Sequence, residues 1–390
     1  MKIVLGTESY WPNVDGGAVM EHNLAMELAR RGHTVSVFAP AQRYEDYKEE
    51  DNGTTIYRFK AITFPTLKEY KATVFPGKAI KNTLAELRPD IIHVHNPYSI
   101  GVGCLMAARK LGIPIMGTNH LMPENFFMHV AKLAFLYYPL KNLGWGAIVA
   151  FYNRLDLVTS PTQTAVNLLL QHGLTAKHKP MSNGVNLKVF NPNSDPGIIR
   201  NKYSMPADKK VVLYTGRISG EKSLPVLVKA FKYTKDKGYN YQLVFAGAGR
   251  ELKNIKKMVI KLELEKDTTY IGFLQKNEFP SVYTASHVFC IPSTAELQSI
   301  VTMEAMASGL PCIAANSGAL PELVAENDNG FLMNPGNHEE LGDKIIRILE
   351  DDKLRAKMGK RSLEKIQRHS FESIVTEVEN TYKSVIEKKI

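Results

Sequence analysis

The run DIIHVHNPYSIGVGCLMAARKLGIPIMGTNH, residues 90–120, decides the architecture. IIHV is a short apolar strand, GVGCLMAARKLG is of helix length and stops at Gly112, and IPIMGT resumes the strand pattern. Glycine just past a helix is a common stop because it accepts the left-handed conformation needed there. Strands that are apolar along their length and separated by helices must be covered on both faces, the condition of a parallel sheet. The same unit stands on either side. KIVLGTE, GAVMEHNLAMELARRG and HTVSVFAP open the chain, and DLVTSPT with QTAVNLLLQHG follows. Residues 189–210, VFNPNSDPGIIRNKYSMPADKK, then turn rich in Pro, Asn, Asp and Lys, the composition of a passage between domains. After it KKVVLYTGRIS restarts the pattern. YQLVFAGAG, TTYIGFL, HVFCIPS and LPCIAANSG continue it, and the chain is largely helical from His338.

The expected fold is α/β, with two Rossmann-like, doubly wound domains facing a central cleft. Residues 1–190 form the first, 191–209 a linker, 210–370 the second, and 371–390 a final helix able to pack back on the first. A chain of 390 residues is too long for one typical core. In open α/β sheets ligands bind beyond the carboxyl ends of the strands, so functional residues are sought there.

Apolar residues make up 44% and charged residues 23%, as in soluble globular proteins. Met1-Lys2 leads directly into IVLG, so no secretory leader is expected. Cys104, Cys290 and Cys312 have neither metal nor disulfide spacing, which suits a reducing cytoplasm. The net charge of +10 admits nucleic acid, an anionic membrane or a phosphorylated ligand as partner. No zinc-finger spacing or RNA-binding aromatic motif supports the first, so no nucleic-acid partner is expected.

STAELQSIVTMEAMASGLP, residues 293–311, puts Glu296 in the loop after the strand HVFCIPS. A helix is predicted over 300–308, capped by Ser299 and stopped by Gly309 and Pro311. Its first N–H groups, at Ile300 and Val301, form an anion site. Glu304 lies within this apolar helix and needs a partner; ribose hydroxyls would serve, and a lysine or plain solvation is the alternative. Gly216-Arg217-Ile218-Ser219-Gly220-Glu221-Lys222 follows the strand VVLYT. The planar fork of Arg217 and the point charge of Lys222 suit a diphosphate that gains charge as it leaves. Asp15-Gly16-Gly17 opens the first helix, where paired glycines let backbone N–H groups approach a ligand. Neither there nor at AGAG, residues 246–249, is the G-x-G-x-x-G pattern complete, which disfavours a dinucleotide. His120 follows the strand IPIMGT, and His93 and His95 share one face of theirs. Two histidines without further ligands at usable spacing are no zinc site, and no Asp-x-Asp offers a carboxylate-held metal, so none is expected.

Together these residues resemble family 4 of the retaining glycosyltransferases over nearly the whole chain. The pair Gly16-Gly17, then Asn183-Gly184-Val185, then G-R-x4-K at Gly216, Arg217 and Lys222, then E-x7-E at Glu296 and Glu304 stand in the family's order. The resemblance implies the GT-B fold and a retaining, usually metal-free transfer from a nucleotide-sugar, with no cofactor. By it, Arg217 and Lys222 bind the donor diphosphate and stabilise its departure. Glu296 holds the sugar hydroxyls, the Ile300 and Val301 N–H groups meet phosphate, and Glu304 binds ribose. His120 lies at the sugar near the reacting carbon, and backbone at Phe273 and Leu274 meets the base. Where the family commonly has Phe-Gly this chain has Gln298-Ser299. Gln298 can still offer an amide to sugar or phosphate, but the sugar's identity stays open.

TNHLMPENF, residues 118–126, also looks like the bacterial glycolipid-forming members, such as diacylglycerol glucosyltransferases. Residues 126–152 hold no Asp or Glu, many aromatics including Phe126, Phe127 and Trp145, and the cations Lys132 and Lys141. Pro139, Asn142, Gly144 and Gly146 interrupt the run, so it does not span a membrane. Upstream, Lys68, Lys71, Lys78 and Lys81 lie near Tyr70 and Phe75. Cations mixed with aromatics suit an anionic lipid surface; a core helix beside a solvated basic loop is the other reading. The expectation is a cytoplasmic enzyme, peripheral on the inner face of the cell membrane. It would move a hexose, glucose from UDP-glucose, to a lipid acceptor such as 1,2-diacylglycerol. A phosphatidylinositol mannosyltransferase-like enzyme using a GDP-sugar, a soluble-acceptor enzyme, and a non-catalytic nucleotide-sugar-binding protein are the alternatives.

Overall fold

The structure is a computed structural model that describes residues 1–13, 16–64, 67–122, 134–275 and 278–388. The chain divides into Met1–Asn183 with Ile374–Ile390, and Gly184–Ser373. Among the described residues of the first unit, strands lie in the order His178–Pro180, Leu157–Ser160, Ile115–Thr118, Ile91–Val94, Lys2–Gly6, Thr34–Pro40, Thr54–Phe59, Tyr47–Asp51. Within this eight-stranded sheet all pairings are parallel except that of Tyr47–Asp51 with Thr54–Phe59, and Ala61–Phe64 pairs with Leu67–Thr73 in a separate antiparallel hairpin. The 90–120 unit forms as read: Ser99–Leu111 is its helix, and Gly112 ends it at φ +68°. Ile92, Val94, Ile100, Cys104 and Ala108 bury together as the helix packs on the strands.

In the second unit the strand order is Thr268–Tyr270, Tyr241–Ala246, Lys210–Thr215, Val288–Ile291, Cys312–Ala315, Gly330–Met333, all parallel. In chain order this is 3-2-1-4-5-6, the doubly wound arrangement, and both units are Rossmann-like. The central strand shows why its sequence carries no polar face. Val211 and Leu213 enter one core cluster, Val212 and Tyr214 the other. Part of the 191–209 segment packs here as well: helix Gly197–Lys202 buries Ile199, and Arg200 donates to the Ala285 carbonyl at 2.8 Å.

The last helix, Phe371–Ile386, starts in the second unit, where the Phe371 N–H donates to the Val185 carbonyl at 2.9 Å. From Ile374 it belongs to the first. There the Tyr382 hydroxyl pairs with His93 Nδ1 at 2.9 Å, and Glu379 binds Arg31 at 2.8 Å and His33 at 2.7 Å. Tyr382 is fully buried. Tyr382→Ala should therefore cost about 3 kcal/mol and lower the apparent Tm by roughly 6–12 °C, read by circular dichroism. An unchanged melting curve would show that the first unit does not depend on this helix.

Candidate active site

The second sheet reverses its winding between Lys210–Thr215 and Val288–Ile291, and the loops leaving those two strands hold the charged groups. After Thr215, Gly216 takes φ +117° and its N–H donates to the Ala246 carbonyl at 3.0 Å. The Ile218 N–H donates to the Ala248 carbonyl at 2.8 Å. A Cβ at Gly247 would stand 1.9 Å from the Gly216 oxygen, and one at Gly249 2.1 Å from the Ile218 oxygen. The glycines of AGAG are there so that this loop can lie against the arginine loop.

Arg217 reaches Glu221 at 3.1 Å, and the Ser219 hydroxyl donates to the same carboxylate oxygen at 2.5 Å. Burial works against the Glu221 charge, but these bonds and the nearby cations hold its carboxyl below the usual range. Lys222 Nζ lies 2.6 Å from Glu296 Oε1, with both side chains largely buried. The Ser293 hydroxyl and the Thr294 N–H both donate to the Glu221 carbonyl, at 3.1 and 3.2 Å, so the two loops are tied by backbone as well as charge. On the other side of Glu296, its carbonyl accepts the Ala319 N–H at 3.0 Å.

Ser299 caps helix Ile300–Ala307, its hydroxyl accepting from the Thr302 N–H at 3.3 Å. The N–H groups of Ile300 and Val301 begin the helix without intrahelical acceptors. Glu304 is buried, and a tyrosine is its partner: the Tyr283 hydroxyl donates to Oε2 at 2.6 Å. Tyr283 in turn pairs with the Thr215 hydroxyl at 2.8 Å. Burial pushes the Glu304 carboxyl up to about 8, with the tyrosine bond opposing. Gln298 and Ser299 are buried beside this start, while Phe273 is 72% exposed and Leu274 is buried at the end of the strand Thr268–Tyr270.

The first unit holds the remaining residues. Gly16 and Gly17 begin helix Gly16–Arg30. His120 Nε2 lies 3.4 Å from His95 Nδ1. Lys78 and Lys81 are exposed on helix Gly77–Leu87, opposite the buried Ile80 and Leu84, and Phe75 beside them is 95% exposed. One member of the expected lipid surface is corrected. Trp145 is 1% exposed and stacks on His172 at 4.3 Å, so it builds the core. Lys71 is half-buried, and its ammonium donates at the surface to the Gln42 carbonyl at 2.7 Å and the Gln42 side chain at 2.8 Å. Lys141 is half-buried. Phe126, Phe127 and Lys132 lie outside the described residues, as does the side chain of Lys68. Among the described residues no helix is long and apolar enough to cross a membrane.

Sequence reading missed Glu221, Tyr283 and Glu21. Glu221 had a signal, being a carboxylate between two cations at a strand end. Tyr283 had none, since its bond to Glu304 spans helix Phe279–Thr284 and helix Ile300–Ala307.

Residues 14–189 match the model for glycosyltransferase family 4, and residues 197–365 that for glycosyl transferases group 1. The chain is similar to the alpha-monoglucosyldiacylglycerol synthase of Streptococcus pneumoniae, at 28% identity over 88% of this chain and 77% of that protein. It is similar as well to the GDP-mannose-dependent alpha-mannosyltransferase of Corynebacterium glutamicum, at 26% identity over 99% of this chain and 89% of that one. Its fold matches sucrose-phosphate synthase from Thermosynechococcus elongatus with a TM-score of 0.81 over the whole of both chains, at 21% identity.

The raised carboxyl of Glu304 has a sign. In the unfolded chain it titrates near its ordinary 4.5, in the folded chain near 8. Between those values the folded state binds the extra proton, so stability falls as pH rises through that window. Ligand-free protein should lose Tm from pH 5 to pH 8, and Glu304→Gln should flatten that slope. An identical slope in the variant would show that Glu304 does not titrate there.

Proposed function

The chain belongs to the family 4 glycosyltransferases of the GT-B fold, and we propose that it moves a hexose, glucose first among them, from a UDP-sugar to a lipid such as 1,2-diacylglycerol. The carrying observation is the meeting of Arg217, Lys222 and Glu296 where the sheet reverses, with Glu304 and a capped helix start following at once. In this reading the donor diphosphate takes Lys222 from Glu296 and lies across the Ile300 and Val301 N–H groups. Glu296, released, holds the sugar hydroxyls, with Gln298 and Ser299 beside it. Glu304 accepts from the ribose, and the base meets backbone at Phe273 and Leu274. Gly16, Gly17 and His120 keep the roles that the family resemblance gives them.

Arg217 and Lys222 supply the positive charge that a departing diphosphate needs, so the transfer needs no metal. Each carboxylate of the group has other work: Glu221 binds Arg217 and Ser219, Glu296 holds the sugar hydroxyls, and Glu304 is buried under Tyr283. That favours a front-face route to retention, in which the departing phosphate takes the acceptor's proton, over a covalent glycosyl-enzyme. The lipid acceptor is supported by the likeness to the monoglucosyldiacylglycerol synthase. The exposed Phe75, Lys78 and Lys81 add a basic, aromatic surface suited to the inner, anionic face of a cell membrane. The likeness to the GDP-mannose enzyme supports a second reading in the donor, mannosyl transfer from GDP-mannose; phosphatidylinositol would be the acceptor there.

Radiolabelled UDP-glucose and GDP-mannose, each offered with vesicles of diacylglycerol or phosphatidylinositol, separate the readings. Labelled glucosyldiacylglycerol is expected; label in neither lipid would sink the lipid-acceptor proposal. Glu296→Ala should cut transfer at least ~100-fold while UDP binding, read by thermal shift, changes by less than about threefold. EDTA should not slow transfer, and metal-dependent turnover would refute the charge argument.

A further inference from the structure

Three electron-pair donors converge in the first unit at a place that no step of the transfer uses together. Glu21 comes from helix Gly16–Arg30, His95 follows strand Ile91–Val94, and His120 follows strand Ile115–Thr118. One ligand atom of each lies within 4.8 Å of the other two. His95 Nδ1 is 3.4 Å from His120 Nε2 and 3.7 Å from Glu21 Oε1. Tetrahedral zinc, with bonds of about 2.0–2.1 Å, sets neighbouring ligand atoms about 3.4 Å apart. The donors thus stand near coordination spacing before any ion arrives.

Their chemistry and setting agree with that spacing. Two imidazoles and one carboxylate are one of the three-ligand sets of open zinc sites, which keep a fourth position for water or another ligand. Glu21 and His95 are 2% and 1% exposed, and His120 is half-buried, so one side of the group is reachable. His95 Nε2 is buried with no hydrogen-bond partner among the described residues, so the contacts within the cluster do not exhaust that ring. His93 lies against it at 4.2 Å between ring centroids, itself fixed by Tyr382 and by Thr118 at 2.7 Å. The His95 ring is therefore held by packing against His93.

We propose that Glu21, His95 and His120 bind a divalent transition-metal ion of the zinc class, and that the bound ion withdraws His120 from the sugar and inhibits transfer. The first clause stands on the cluster alone; the second rests on the place given to His120 above.

The test uses the full chain, stripped with EDTA and then dialysed against zinc chloride. One zinc per chain is expected, with affinity falling at least tenfold in both Glu21→Gln and His95→Gln. Cobalt(II) in place of zinc should give the visible absorption of a four-coordinate site, and each variant should lose it. Both variants are melted first, so that loss of fold is not read as loss of a ligand. Wild-type protein offers a second readout, since a zinc-dependent rise in its Tm needs no variant. No saturable zinc binding by the wild type, or binding unchanged in both folded variants, overturns the site. Zinc that binds without lowering the transfer rate overturns the inhibition. Zinc binding by a chain that transfers no sugar would leave the site standing and count against the proposed function only.

Discussion

The reversal of winding between Lys210–Thr215 and Val288–Ile291 is the constraint on which the candidate site depends. Parallel strands deliver all their carboxyl ends to one edge, and only where the order reverses do neighbouring loops leave in opposite directions. The opening so made is spanned by charge. Lys222 comes from one side and Glu296 from the other, and they meet at 2.6 Å. Arg217 is likewise matched by Glu221 at 3.1 Å, but it is 61% exposed and keeps much of its water, while Lys222 does not. The fold thus assembles two cations at one edge without leaving either uncompensated, which a buried lysine alone would not tolerate.

Three glutamates within this small region live under different rules. Glu221 is surrounded by donors and cations, which keep its carboxyl below the ordinary range despite burial. Glu304 has one neutral donor, Tyr283, and burial dominates. Glu296 has the Lys222 ammonium on one oxygen. Residue type is the same in each case; the number and charge of the donors around it set the behaviour.

Much of this was legible in the chain. Helix 300–308 was read from a serine, an apolar run and a glycine, and Ser299 caps Ile300–Ala307. Alternating apolar strands and helices gave both sheets, because a strand buried on both faces has no polar face to write. What the chain did not write were contacts between residues far apart in sequence. Glu304 visibly needed a partner, but nothing marked Tyr283 as the one. Glu21 was invisible as a neighbour of His95, since a helix and a strand edge bring them together. Trp145 failed for another reason. An aromatic run broken by Gly and Pro has the same composition at a lipid surface and in a core, and only packing against His172 decides.

The close approach of Gly216 to Gly247, and of Ile218 to Gly249, bears on any effort to redesign these loops. With 1.9 and 2.1 Å left for a Cβ, and carbonyl oxygens as the obstacle, neither glycine can be exchanged without moving the opposing backbone. That backbone carries Arg217. Diversity introduced into AGAG would therefore be paid in the position of the arginine. The loop after Thr268–Tyr270, where Phe273 stands in solvent, is free of that coupling and is the better place to vary.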